Sequence, residues 1–409
     1  MRPAVTQTCR HCDTSLTLPF LDLGHAPPSN AYLAPEGLSR PEVTFPLRLA
    51  ACPACRLVQT EDFAEADQLF TDDYAYFSST SQGWLAHAAA YVQMITERLG
   101  LSTDSHVIEV ASNDGYLLKN FVTAGIPCLG VEPTKGTAEA ARALGIPVEQ
   151  AFFGAEMADS LPKSDLILGN NVFAHVPDIN DFTLGLARAL KPQGVITLEF
   201  PHLMRLVEYN QFDTVYHEHF SYLSLLAVSR IMARAGLRVF DVEELLTHGG
   251  SLRVYACLDV ADHAETPAVA AMLAQESDRG METDGYYTAF QPKAEAVKNA
   301  FLRFLLDAQA EGKTVAAYGA AAKGNTLMNF AGVRPDLIGF VCDAAPSKQG
   351  KYMPGSHLPI LAPDALRANR PDYVVILPWN IGSEVRAQLS DLAEQGTQFV
   401  TAVPELTIT

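Results

Sequence analysis

Positive charge is what this sequence has little of. Its 409 residues carry 29 lysines and arginines against 47 aspartates and glutamates, a formal net charge of −18. Nucleic acid and anionic bilayers must both be met by a basic face, so neither is expected as a partner. Long apolar runs are missing too. The opening MRPAVTQTCRHC holds no stretch of signal-peptide length, and no later segment approaches the ~20 uninterrupted apolar residues that span a bilayer. A cytoplasmic protein is the expectation. Cysteine is scarce, with seven in the chain; in a reducing compartment this argues against a disulfide framework and turns attention to metal. What is there is a chain too long for one compact core, with two or three domains expected.

Four of the cysteines form two pairs, Cys9-Arg-His-Cys12 and Cys52-Pro-Ala-Cys55, while Cys128, Cys257 and Cys342 stand singly in apolar contexts. Two such knuckles let four thiolates converge on Zn2+ at ~2.3 Å in a closed tetrahedron, with no position left for water or substrate. Zinc on Cys9, Cys12, Cys52 and Cys55 would therefore be structural; the plainer alternative is a set of buried or redox cysteines. His11 reads as a bystander. The segment between the pairs, with APPSN and LAPEG, reads as an irregular loop whose folding depends on the metal.

Further on, a helical pattern from about Trp84 to Leu99 gives way to the strand HVIEV and the turn ASNDG, then to an apolar helix. A Rossmann-like sheet presents a ligand site in this way at its carboxyl edge. The strand IPCLGVEP ends in Glu132, about 20 residues past the first turn, where an acid can take both hydroxyls of a ribose. Later strands end in Asn170-Asn171 and in Glu199. A nicotinamide dinucleotide needs its pyrophosphate cradled by GxGxxG, and the loop here is Ala111-Ser112-Asn113-Asp114-Gly115, with an acid near the phosphate position. S-adenosylmethionine has no phosphate, and its ammonium and sulfonium suit acidic neighbours. The run from Glu109 to Glu132, followed by NNVFAHV, is similar to that of class I methyltransferases. It departs from their E/D-x-G-x-G-x-G at Ala111 and Asn113. The expected cofactor contacts are Glu109, Ala111, Asn113, Asp114, Glu132, Asn170 and Asn171.

The segment VYHEHFSYLS follows the last of these strands and is expected over the same edge. A histidine titrates near neutrality and can take a proton from carbon acidified by a carbonyl, provided a neighbour fixes its tautomer. His219 with Glu218 could form such a unit, with Tyr76 and His175 arriving from other loops. Two plainer readings stand beside it. One is a polar surface turn. The other is a second metal site on His217, Glu218 and His219, disfavoured because i, i+2 spacing on a strand sends both histidines to one face and Glu218 to the other.

From about Asp259 the composition turns helical and rich in Ala and Glu, and then KTVAAYGAAAKGNTLMNF reads as strand, small-residue turn and helix. Gly319, Lys323, Gly324 and Asn325 sit where backbone N–H groups and an ammonium could hold a diphosphate. Further strands make this half another Rossmann-like unit. The alternative is a turn needing small residues for packing. Lys323 is the best single candidate for the substrate, with Lys348 and Lys351 behind it; HGGSLRVY adds His248 and Arg253.

Taken in order, the four-cysteine domain, DYAYFSSTS, EVASNDGYLL, NNVFAHV, VYHEHFSYLS, THGGSLRVY and AAYGAAAKGNTLMN resemble the sugar C-methyltransferases of deoxysugar biosynthesis. The resemblance runs over essentially the whole chain. It implies S-adenosylmethionine-dependent methylation at C3 of a dTDP-linked 4-keto-deoxyhexose through an enolate, as in the making of branched antibiotic sugars. Motif for motif, the general base falls on His219 with Glu218 beside it, and Tyr216, His175 and Tyr76 fall on active-site positions. Tyr222 and Asn325 join Lys323, Lys351, His248 and Arg253 as substrate contacts. The implied organisation is a zinc-binding domain over 1–70, a methyltransferase domain over 71–258 and a Rossmann-like nucleotide-sugar domain over 259–409, all α/β beyond the zinc domain. The expected partner is a small-molecule nucleotide sugar, with no nucleic acid, no membrane and a monomeric chain. Rival readings are methylation of another sugar carbon or of an oxygen, and a non-catalytic zinc-containing interaction protein.

Overall fold

The structure, a computed structural model, describes residues 7–61 and 77–409. In the N-terminal unit β1 (Leu18–Ala26) and β2 (Phe45–Ala51) pair antiparallel, and β3 (Val58–Thr60) continues the sheet. Along β2, Leu47, Leu49 and Ala51 are buried while their neighbours are partly exposed, the period of two that a half-buried strand requires. The two CxxC turns are built alike. Asp13 and Arg56, each directly after the second cysteine of its pair, take φ of 60° and 65°, and their N–H groups donate back to the carbonyls of Cys9 and Cys52.

The middle unit runs through β4 (Val107–Val110), β5 (Cys128–Val131), β6 (Val148–Glu149), β7 (Ser164–Asn170), β8 (Leu190–Pro201), β9 (Ser221–Tyr222), β10 (Leu237–Leu245) and β11 (Ser251–Leu258). Seven of these form one sheet in the order β10-β11-β8-β7-β4-β5-β6. Its inner strands are parallel, and β11 is antiparallel to both neighbours. All four residues of β4 are buried, Glu109 among them, as a central parallel strand covered on both faces is. The chain steps from β4 outward through β5 and β6, then returns to place β7 on the other side of β4. That reversal opens a crevice at the carboxyl ends of β4 and β7, where open α/β sheets take their ligands.

β9 leaves this sheet. It pairs antiparallel with β3, Tyr222 opposite Val58 and Ser221 opposite Gln59, so the histidine-rich segment is stitched into the N-terminal unit. The third unit carries β12 (Val315–Tyr318), β13 (Val341–Cys342), β14 (Ile360–Leu361), β15 (Tyr373–Ile376), β16 (Gln398–Thr401) and β17 (Thr407–Ile408), ordered β14-β13-β12-β15-β16-β17 and parallel except for β17. After β12 a short turn leads into the helix Ala322–Ala331.

The helical stretch that precedes β12 ties the units together. Phe290, opening the helix Phe290–Ala310, stacks on Phe20 of β1 with ring centroids 5.0 Å apart. Glu276, buried on the helix Pro267–Asp278, accepts the N–H groups of Leu225 and Leu226 at 2.7 and 2.8 Å and meets the His202 ring at 2.7 Å. A carboxylate there satisfies two orphan donors at the start of the helix Leu225–Arg234 and complements its dipole. Residues expected to open the third unit thus dock on the second. No helix of the described residues is long and apolar enough to cross a membrane.

Candidate active site

The four paired thiols converge. The sulfurs of Cys9, Cys12, Cys52 and Cys55 lie within 4.8 Å of one another, with Cys9 to Cys55 at 3.5 Å and Cys12 to Cys52 at 3.4 Å. A tetrahedron with ~2.3 Å bonds has edges of about 3.8 Å, so the set fits zinc. His11 lies outside it, its Nδ1–H donating to Asn180 Oδ1 at 2.8 Å.

At the crevice the loop after β4 keeps the conformations of a glycine-rich turn with fewer glycines: φ is 56° at Ala111, 49° at Asn113 and 77° at Gly115. Gly115 cannot be replaced without cost, since a Cβ there would stand 2.4 Å from Ile146 Cδ1. Glu132 accepts the N–H groups of Asn113 and Thr134, each at 3.0 Å. From above, the turn Ser78–Thr80 donates Ser78 N–H to Asn113 Oδ1 at 2.9 Å and Ser79 N–H to Asp114 Oδ2 at 3.2 Å. Glu109 is fully buried, and burial, then Glu132 and Asp114, push its pKa well above the usual carboxylate range. Five buried atoms at this edge have no hydrogen-bond partner among the described residues: Glu109 Oε2, Ser112 Oγ, Asp114 Oδ1, Asn170 Nδ2 and Asn171 Oδ1. Buried polar groups left unpaired call for a partner. Three carboxylates would repel a pyrophosphate and welcome the ammonium and sulfonium of S-adenosylmethionine, so the residues present fit that cofactor.

Below this edge lies the histidine cluster. The His219 ring meets Tyr216 at 4.2 Å, His175 at 4.5 Å and Tyr222 at 5.8 Å between centroids. The segment is a turn, closed by His219 N–H to Tyr216 carbonyl at 3.0 Å, and not a strand. This corrects the shared face expected for its two histidines: His217 is turned to the N-terminal unit, its Nε2 3.2 Å from the Pro46 carbonyl and its ring edge-on to Phe45. Glu218 Oε1 accepts from Asn30 Nδ2 at 2.8 Å, while the Glu218 carbonyl takes His175 Nδ1–H at 2.8 Å. Burial, then the neighbouring His175, hold the His219 pKa well below the ordinary imidazole value; burial takes His175 down to about 4. Both rings are neutral at neutral pH. Tyr222 is buried with its hydroxyl accepting the Tyr216 N–H at 3.3 Å. Tyr76 lies outside the described residues.

The third unit closes the other side. Lys323 donates to Asn380 Oδ1 at 2.8 Å and stands 4.6 Å over the Trp379 ring, whose Nε1–H donates to Asp213 Oδ2 at 2.7 Å. His248, on a left-handed turn at φ 55°, meets Trp84 edge-on at 5.2 Å. Enclosure by protein, then Lys323, push its pKa down to about 4. Lys323 thus stands near His248, and His248 near His219.

Other expected substrate contacts are placed elsewhere. Arg253 is buried, with one nitrogen on Glu199 at 3.1 Å and another on Glu243 at 3.0 Å, and its guanidinium 4.7 Å over Tyr91. β11 runs beside β8 and brings it onto Glu199. Asn325 is buried against the N-terminal unit, donating to the Ser29 carbonyl at 2.6 Å. Lys351 stands on a turn closed by its own N–H to the Lys348 carbonyl, and Lys348 Nζ donates to the Ala320 carbonyl at 2.8 Å. Sequence reasoning missed Asn30, Trp84, Asp213 and Trp379. Only the two tryptophans, the sole ones in the chain, gave a signal that could have singled them out.

The units match known families in order: residues 9–70 a zinc binding domain, 84–242 a methyltransferase domain and 246–404 the C-methyltransferase C-terminal domain. The chain is 35% identical over 401 residues to the C-methyltransferase NovU of Streptomyces niveus, covering 97% of this chain and 95% of that one. It is 32% identical over 98 residues to an uncharacterized methyltransferase of Mycobacterium leprae, 23% of this chain and 36% of that one. Among solved structures, an S-adenosylmethionine-dependent methyltransferase of Clostridium acetobutylicum overlaps 42% of this chain and 90% of its own at 11% identity and a TM-score of 0.33. With a relative aligned almost end to end and all three units matched, the chain belongs to the C-methyltransferase family and is an S-adenosylmethionine-dependent C-methyltransferase.

Proposed function

We propose that the protein methylates C3 of a dTDP-linked 4-keto-deoxyhexose through an enolate, with His219 as the base. The observation that carries this is the buried His219 ring packed against His175 and Tyr216, held unprotonated by burial and by His175. A neutral imidazole keeps one acceptor nitrogen. It takes the proton from C3, which the adjacent ketone acidifies. His175 spends its Nδ1–H on the Glu218 carbonyl, which makes its Nε2 the acceptor nitrogen and suits it to a sugar hydroxyl. A tyrosine hydroxyl, of Tyr216 or Tyr76, is the donor for the developing enolate oxygen. Asn30 holds Glu218 and with it the turn that carries the base.

Glu109, Asp114, Glu132, Asn170 at the end of β7 and Asn171 after it would hold S-adenosylmethionine, which would supply the electrophilic methyl for C3. Lys323, enclosed beside Trp379 and Asn380 in a chain so acidic, is the cation for the substrate's diphosphate. The test is product analysis after incubation with methyl-labelled S-adenosylmethionine and a dTDP-4-keto-deoxyhexose. The label on carbon C3 is expected; a label on oxygen or on another carbon rejects the assignment.

A further inference from the structure

The zinc knuckles reach well beyond their own unit. Arg10, inside the first, donates Nη1 to the Pro177 carbonyl at 2.9 Å and Nη2 to the Thr60 carbonyl at 3.2 Å, and lies 5.4 Å over the Phe220 ring. Pro177 stands two residues after His175, and Phe220 directly follows His219. Asn180 grips the same knuckle from the other side. Its Oδ1 accepts from His11 Nδ1, and its Nδ2 donates to the carbonyls of Arg10 and His11 at 3.1 and 3.0 Å.

The second knuckle leads through Leu57 straight into β3. There Gln59, 1% exposed, accepts the Arg10 N–H with its side chain at 3.0 Å while its backbone lies opposite Ser221. Thr60 N–H then takes the Phe220 carbonyl at 3.1 Å. One knuckle is thus tied to the segment after His175 and both to the segment around His219. The cofactor loop is held from different places, by Glu132, Ser78 and Ser79.

We infer that Arg10, Asn180 and Gln59 are positioning residues, through which the knuckles that fit zinc set the spacing of the two site histidines, whose rings meet at 4.5 Å. A turn clamped by four thiolates is stiff, and a strut anchored on it transmits that stiffness to whatever it touches. Proton abstraction needs reacting groups held to a fraction of an ångström, so loosening the struts costs rate without touching cofactor binding. The inference rests on the reading of His219 and His175 as the reacting pair.

The experiment is hydrogen–deuterium exchange on the full chain, before and after zinc is stripped with a chelator, with S-adenosylhomocysteine titrated in parallel. Exchange is expected to rise at 172–180 and 216–223 as well as in the N-terminal unit, while 107–134 stays protected and S-adenosylhomocysteine still binds. A rise confined to the N-terminal unit overturns the inference, and so does loss of S-adenosylhomocysteine binding. In zinc-loaded protein, Asn180→Ala should keep its metal and its S-adenosylhomocysteine affinity, raise exchange at 172–178, and lower kcat by on the order of 10- to 100-fold with KM little changed. Asn180→Asp, which keeps an acceptor for His11, should recover part of that loss. Unchanged exchange at 172–178 in Asn180→Ala overturns the inference. The exchange and titration arms need no sugar, so they stand even where the base assignment fails.

Discussion

A histidine acts as a base at neutral pH only while its ring is unprotonated, and the surroundings of His219 secure that through burial and through His175. The acid limb of the kcat/KM profile should therefore fall below the ordinary imidazole value of ~6.5. Its appearance at or above that value would argue against His219. His219→Ala should lose methyl transfer by on the order of 10²- to 10⁴-fold while keeping S-adenosylhomocysteine affinity, as removal of a positioned base does. Asp213 offers a second titration, of opposite sign. Burial raises its carboxyl to about 6 in the folded chain from an ordinary 3.8. The proton is held by the folded state, so stability is full below the unfolded value and is lost as pH rises through about 6. Asp213→Asn, which keeps an acceptor for Trp379, should be more stable than the parent at pH 7 by on the order of 1–3 kcal/mol and no more stable at pH 4, checked by thermal denaturation at both. The clustering of Tyr216, His219 and His175 was legible because residue types name chemistry. The carbonyl that holds the His175 ring was not, since Glu218 acts there through a backbone atom that carries no side-chain signature.

Among the elements, the loop after β4 shows what a motif departure does and does not mean. Ala111 and Asn113 replace glycines of the usual pattern yet hold the same left-handed turns, so the sequence change left the path of the chain intact. Gly115 has no such freedom, with φ at 77° and Ile146 and Ala141 pressed against the missing Cβ. Gly115→Ala should lower the thermal midpoint, at a cost of about 1–3 kcal/mol, and weaken S-adenosylhomocysteine binding in calorimetric titration. The strands β4, β5, β7, β8, β12 and β15 were readable from their apolar runs between turn residues, but β1 and β2 were not, since the segment between the cysteine pairs, expected as an irregular loop, carries both. Ser221–Tyr222 is harder still: it forms a strand of two residues, too short for any period to show, and its partner β3 lies some 160 positions earlier. Pairing across that distance is decided by packing of the N-terminal unit and not by local pattern. The same holds for Asn30, which sits in a Pro-Pro-Ser-Asn stretch that reads only as loop and yet reaches Glu218.

Across the whole molecule, the three units meet at the site, and the two tryptophans report on its two walls. Trp84 stacks beside Tyr116 at 6.0 Å on the cofactor side, whereas Trp379 lies under Lys323 on the side of the third unit. In Trp379→Phe, S-adenosylhomocysteine should still change the remaining fluorescence; in Trp84→Phe, the nucleotide sugar should. A sugar signal that survives only in Trp379→Phe would place the diphosphate away from Lys323. The docking of Glu276 on the second unit was not legible, because a buried acid capping a distant helix looks in sequence like any other surface glutamate. If His219 draws the proton from C3, deuterium should enter C3, followed by NMR, when the protein is incubated in D2O with S-adenosylhomocysteine and the dTDP-4-keto-deoxyhexose. Exchange by the parent chain and none by His219→Ala is the predicted result; exchange that persists undiminished in His219→Ala would contradict it.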